Sequence, residues 1–331
     1  MKAMVIEKTG EPSVFKLAIL SKPQVTSGHV LIQVKASSVN PLDCKLRSGQ
    51  YPLLPDPAIL NGDVAGIVAE VGPNVSEFKV GDKVYGCAGG VTGLPGALAE
   101  YMLADANLIA HMPASLSFTE AGVLPLVTET AWEAIIRLAN VQKNQTVLVH
   151  GGVGGVSHIA IQLAKYRGAK VFTTCSTPEK IAAAKKLGAD VVIDYTTHTV
   201  SDYVTQYTQG RGFDVVFDTV GGDNIDNSIE AAATYGQIIT TLGTGLHDLL
   251  PLYRKGASLH TVFQPTPLLT GQNRRHYNEL LTQAARLVDQ KQLHPLLHTK
   301  VFGFSEIAKA HELAESGQFM GKIALQQDLT S

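Results

Sequence analysis

Between Val147 and Ser157 the chain reads Val-Leu-Val-His-Gly-Gly-Val-Gly-Gly-Val-Ser, an apolar run that breaks into glycines and resumes as a helical pattern. Such a junction needs a buried strand to end, a tight turn to follow, and a helix to start at once. The flanking residues agree. Strands are expected at Thr146–His150, Lys170–Thr174, Val191–Asp194, Asp214–Asp218 and Gln237–Leu242, with helices at Val156–Arg167, Pro178–Leu187, Val200–Thr208 and Asn224–Ala233. Strand and helix in regular alternation predict a doubly wound α/β domain, a parallel sheet covered on both faces.

At this loop Gly151 makes the turn, and Gly152, Gly154 and Gly155 let backbone approach a pyrophosphate with no Cβ in the way. Val156 then opens a helix whose free N–H groups face the negative charge. The spacing Gly151-x-x-Gly154-x-x-Ser157 departs from strict G-x-G-x-x-G, and a purely structural glycine turn is the competing reading. Cofactor choice is read at the end of the second strand, where NAD sites place an acid for the ribose 2′-hydroxyl. Here that strand ends Thr173-Thr-Cys-Ser-Thr, with no acid before Glu179. Ser176 can donate to a 2′-phosphate and Lys180 attracts one, so NADPH is expected rather than NADH. A solvated helix lysine is the bland alternative for Lys180.

At 331 residues the chain is long enough for two domains. Residues 1–122 carry short alternating runs such as Val30–Lys35, with dense turn signals at Val71-Gly-Pro-Asn and Lys79-Val-Gly-Asp, and read as a β-rich unit. Residues 123–264 form the α/β domain, and the tail 265–331, with helices at Arg274–Asp289 and Glu306–Ser316 and a strand at Lys322–Gln326, is expected to complete the first unit. A net charge of -2 argues against nucleic acid or an anionic membrane as partner and favours a small-molecule enzyme. Lys143 to Lys165 encloses no charged residue, but its glycines and histidines fit strand, loop and helix better than a membrane span. Glu7 and Lys8 interrupt any secretory run, and three unclustered cysteines (Cys44, Cys87, Cys175) point to a reducing, cytoplasmic setting. The glycine-rich Gly86–Gly96 follows no strand-to-helix pattern and reads as a mobile rim.

Several further motifs carry a resemblance. They are Val39-Asn-Pro-Leu-Asp, Arg47-x-Gly49, Gly62-Asp-Val-Ala-Gly-Ile-Val-Ala-Glu-Val-Gly72, Val75-x-x-Phe78-x-x-Gly81-Asp-x-Val84, Ala99-Glu-Tyr101, Leu124-Pro-Leu with Thr130-Ala-Trp, and Gly321-Lys-Ile. Over essentially its whole length the chain resembles the medium-chain dehydrogenase/reductase superfamily, in its quinone oxidoreductase (zeta-crystallin-like) branch. The resemblance implies a GroES-like catalytic domain beside a Rossmann NADPH-binding domain, and a homodimer joined around Gln237–Leu242 and Leu259–Phe263. Zinc alcohol dehydrogenases of the superfamily carry Cys where this chain has Asn40, and Gly-His-Glu where it has Gly62-Asp63-Val64. Catalytic zinc needs three good protein ligands, so no zinc is expected; His111, His150 and His158 are scattered and read as structural.

Without a Lewis acid the expected acceptors are already electrophilic: quinones and α,β-unsaturated carbonyls. Asn40 offers an amide donor, or a loop cap ahead of Pro41. Tyr51 offers a phenol that could protonate an enolate or quinol oxygen, or is an ordinary loop tyrosine. Asp43 and Arg47 are expected to pair or bond backbone. By position in the family, Thr130, Gly243 and Phe263 border the nicotinamide, Tyr195 flanks the adenosine phosphate, and Lys322 could reach a phosphate. Two alternatives stand beside this: an enoyl-thioester reductase, and a non-catalytic NADPH-binding protein.

Overall fold

The computed structural model describes residues 1–329. It divides into two compact units: Met1–Glu129 with Pro265–Lys291 and the tail from Pro295, and Thr130–Gln264 with Gln292–His294.

The first unit is built on the long strand His29–Val39, in which the consecutive Val30, Leu31 and Ile32 are all buried, so the strand is covered on both faces there. This strand pairs antiparallel with Asp63–Val71, with Tyr101–Asp105 and with the C-terminal strand Ile323–Gln326. Ile323 lies opposite Val39, and Asp63 lies opposite Cys87 on the strand Lys83–Cys87. The first of these registers, together with Ala65 lying opposite Ala36, brings Asn40, Asp63 and Lys322 to one end of the sheet.

Gly86–Gly96 is not a mobile rim. Most of it is buried, and at Gly96 a Cβ would stand 2.1 Å from the Leu60 carbonyl oxygen. The glycines are there because two backbones run nearly in contact, which leaves no room for side chains.

The second unit is the expected parallel sheet with helices on its faces. Its six strands run in the order Val191–Asp194, Lys170–Cys175, Thr146–Val149, Phe213–Asp218, Ala232–Thr240, Ser258–Thr261, all parallel. In chain order that is 3-2-1-4-5-6, so the order reverses between Thr146–Val149 and Phe213–Asp218, the place where such sheets leave a crevice beyond the strand ends. One face is sealed by Leu148, Phe172, Phe213, Val216 and Ile238. The α-helix Pro125–Trp132 runs on as a π-helix, Glu133–Leu138. Single π turns inside helices cost hydrogen-bond quality and mark local constraint.

His150, at the end of strand Thr146–Val149, is buried, and burial pushes its pKa down to about 4 against the pull of Asp218. A neutral folded histidine that charges when unfolded makes the unfolded state bind more protons between about pH 4 and 6.5. Stability therefore rises with pH across that window and is lost as pH falls through it. The melting temperature should drop on acidification over this range, and His150→Gln should flatten that slope. An equally steep slope in the variant would show that other groups carry it.

Candidate functional site

Two groups of residues hold the chemistry, one in each unit. In the α/β unit, Gly151 turns in the left-handed region at φ 73°, where glycine carries no steric cost. At Gly152 a Cβ would stand 2.4 Å from Thr173 Oγ1, so this position too excludes any side chain. The helix Gly155–Tyr166 begins at Gly154, which supplies no side-chain acceptor to its first N–H groups. An uncapped helix start behind a close-packed glycine turn is a cradle for an anion.

The loop is held from both sides by hydroxyls. Gly151 N–H donates to Thr174 Oγ1 at 3.1 Å, Thr219 Oγ1 donates to the His150 carbonyl at 2.8 Å, and Ser157 Oγ is 2.8 Å from Thr219 Oγ1. Ser157 thus does by hydrogen bonding what a third glycine does by close packing. Opposite, Asp218 Oδ1 accepts from the Val220 and Gly221 amides and from Asn224 Nδ2, shaping the turn across the crevice. Asp218 and Thr219 are absent from the residues singled out by sequence; the pair Gly221-Gly222 just past a strand end is the signal that points to them.

Ser176 follows the strand Lys170–Cys175 and is half-buried, and Thr177 caps the next helix by accepting from the Lys180 amide at 3.3 Å. The strand itself ends without an acid; Asp194 of the next strand lies opposite Cys175 and accepts from the Thr196 amide and hydroxyl. Tyr195 is exposed after Val191–Asp194, and Phe263 and Gly243 are exposed on the loops after the last two strands. Thr130 is buried on the helix Pro125–Trp132.

In the β-rich unit, Asn40 precedes the helix Pro41–Ser48, and its own N–H donates to the Asp43 carboxylate at 2.7 Å. Burial pushes the Asp43 carboxyl up to about 7, opposed by that hydrogen bond. The Asn40 side chain is nearly inaccessible. Its Nδ2 donates to Asp63 Oδ2 at 2.8 Å, and its Oδ1 accepts from Lys322 Nζ. Asp63, fully buried, also accepts from Ser38 Oγ at 2.6 Å and from the Leu126 amide at 2.8 Å.

Lys322 corrects one expectation. It is neither a surface lysine nor within reach of a solvent-facing phosphate: its ammonium is buried, donates to the Val39 carbonyl at 2.9 Å, and lies 3.8 Å from Asp63. Asp43 and Arg47 do not pair with each other. Arg47, also buried, meets Glu315 and the Gly10 carbonyl.

Tyr51 is half-buried, its N–H on the Lys45 carbonyl and its ring 5.2 Å from Lys45 Nζ. A cavity of about 230 Å³, lined by Val39, Asn40, Cys44, Ser48, Gln50 and Phe319 among others, does not have Tyr51 in its wall. Cys44 faces it as an inert thiol, its pKa pushed up to about 12 by burial.

Comparison with known proteins gives the family. Residues 26–114 match the alcohol dehydrogenase GroES-like domain, and residues 187–325 match a domain described as zinc-binding dehydrogenase. The chain is 32% identical to 2-methylene-furan-3-one reductase of Solanum lycopersicum, over 98% of this chain and 79% of that protein. It is 36% identical to the chloroplastic NADPH-dependent alkenal/one oxidoreductase of Arabidopsis thaliana, over 73% of this chain and only 63% of that protein's length. The structure of Escherichia coli quinone oxidoreductase complexed with NADPH superposes with a TM-score of 0.88 at 26% identity, covering 98% of this chain and all of that one.

The zinc that one matching domain's description implies does not fit the residues here. Facing Asn40 and Asp63 is an ammonium, which repels a cation, and the amide oxygen a metal would need is already taken by it. Among the described residues no three His, Cys, Asp or Glu side chains are grouped to hold a metal. By its GroES-like and Rossmann units, and by relatives that match it nearly end to end, the chain belongs to the medium-chain dehydrogenase/reductase superfamily of oxidoreductases.

Proposed function

We propose that the protein is an NADPH-dependent reductase of α,β-unsaturated carbonyls or quinones that works without zinc. The observation that carries this reading is the glycine cradle at the sheet's switch point, with Ser176 in place of an acid at the end of the neighbouring strand. Relatives named NADPH-dependent alkenal/one oxidoreductase and 2-methylene-furan-3-one reductase, and a quinone oxidoreductase whose structure is complexed with NADPH, support it.

When bound, NADPH supplies a hydride. The chain's own part is to hold and orient. Backbone at Gly151, Gly152, Gly154, Gly155 and Val156 takes the pyrophosphate; Ser176 and Lys180 take the 2′-phosphate; Tyr195 flanks the adenosine end; Thr130, Gly243 and Phe263 border the nicotinamide. An acceptor with a conjugated carbonyl takes the hydride at carbon, while an electron pair moves onto its oxygen. Tyr51 meets that oxygen with a hydrogen bond and then a proton. Asn40 serves from the cavity wall, since its amide is spent on Asp63 and Lys322.

Homodimerisation around Gln237–Leu242 and Leu259–Phe263 belongs to the same reading, and a monomeric mass in solution would remove it. NADPH absorbance followed against a panel of enones, quinones and enoyl-CoAs tests the activity. Tight NADPH binding with no oxidation would favour a binding protein, and turnover confined to enoyl-CoAs would favour the thioester reductase. Ser176→Asp should invert the ratio of KM values for NADPH and NADH; an unchanged ratio would remove Ser176 from cofactor choice. Tyr51→Phe should lower kcat by roughly 10²- to 10⁴-fold, the usual worth of a positioned proton donor. Wild-type turnover across pH would take the phenol out of the mechanism.

A further inference from the structure

The Lys322 ammonium is placed with more care than a chance buried lysine requires. Gly321 before it sits at φ 71°, with space for a Cβ closed by the Leu296 carbonyl at 2.0 Å. The Lys322 N–H donates to that same carbonyl at 2.8 Å, and its own carbonyl accepts from the His298 amide at 2.9 Å. With the backbone pinned and the next residue paired to Val39, the side chain runs inward to the start of the helix Pro41–Ser48.

There it fixes a direction. An ammonium only donates and a carboxylate only accepts, so Lys322 on one side and Asp63 on the other leave Asn40 a single amide orientation. Asn40 and Val39, the two groups that Lys322 holds, are also wall of the cavity of about 230 Å³. One buried cation thus gathers oxygens from two chain segments, Val39–Asn40 and Asp63, which is what a metal ion does in a metal-dependent site. Burial lowers the lysine's pKa while Asp63 and Asp43 oppose that shift.

We propose that Lys322 is a positioning residue for the reduction: a buried hydrogen-bond donor that holds the Asn40 wall of the acceptor cavity in place of a metal ion. This rests on the reading of the chain as a reductase. Its effect is on the geometry presented to the acceptor, and the glycine cradle is independent of it.

Lys322→Met alone strands the buried Asp63 charge and can unfold the protein, so the test is a cycle with Asp63→Asn. The full-length wild type, Asp63→Asn, and Asp63→Asn/Lys322→Met are compared for melting temperature, NADPH affinity by fluorescence, and kcat with an enone. The double variant should melt no lower than Asp63→Asn, which leaves the Lys322 ammonium without its counter-charge, and bind NADPH equally well, yet turn over on the order of 10- to 100-fold more slowly, the loss expected of a misplaced reacting group. Turnover equal to that of Asp63→Asn would overturn the proposal and leave Lys322 a counter-charge only. One zinc per chain in purified wild-type protein would overturn it too. Absence of any wild-type turnover would instead sink the reductase reading, so the two failures are told apart by the control.

Discussion

A fully buried carboxylate, Asp63, is the group on which the β-rich unit's functional end depends. Left without partners inside a protein, such a charge costs several kcal/mol, and only dense hydrogen bonding or a counter-charge offsets it. Asp63 has both. Ser38, Asn40 and the Leu126 amide donate to it, and the Lys322 ammonium stands 3.8 Å away. Each partner comes from a different element: the long central strand, the turn into the helix Pro41–Ser48, the helix Pro125–Trp132, and the start of the C-terminal strand. The positions of these elements are therefore not independent. A shift in any one would leave a charge or an amide buried without its partner, which low-dielectric surroundings penalise steeply.

A fixed ammonium differs from a bound metal in what it can do next. It can orient an amide and contribute positive charge, but it has no open coordination position for an alkoxide. On the function proposed above, such a site suits acceptors whose electrons already have somewhere to go. Cys44, lining the same cavity, has its thiol 3.6 Å from His311 Nδ1, and burial raises its pKa to about 12, which disfavours the thiolate.

Much of the fold was legible because its signals are local. The glycine junction, the alternation from Thr146 to Leu242 and the missing acid near Ser176 each occupy a few consecutive residues, and strand and helix periods can be read directly from them. The polar cluster was not legible in the same way. Asn40 is separated from Lys322 by 282 residues and from Asp63 by 23, and only the antiparallel register of Ile323 on Val39 brings the lysine to the other two. Read alone, Lys322 is a strand lysine. Gly86–Gly96 misleads for a related reason: a glycine run looks the same whether it buys freedom or close approach, and only the neighbouring Leu60 backbone decides. Asp218 and Thr219 were hidden because their work is to brace a loop whose sequence is distant from theirs.

The anion cradle and the Asn40 wall are made from different materials, and this decides how each responds to change. The cradle consists of backbone N–H groups, small hydroxyls and excluded volume, so most side-chain charges nearby can vary without disturbing it. What it cannot accept is a Cβ at Gly152, where Thr173 already fills the space. The Asn40 wall is the reverse. It has room around Pro41 and Lys45 but hangs on one ammonium and one carboxylate, so a single neutralised charge reorganises it. Cofactor binding should therefore be robust to substitution and acceptor handling sensitive. On the proposed function, that asymmetry puts the capacity for new specificity on the side where single residues decide the geometry.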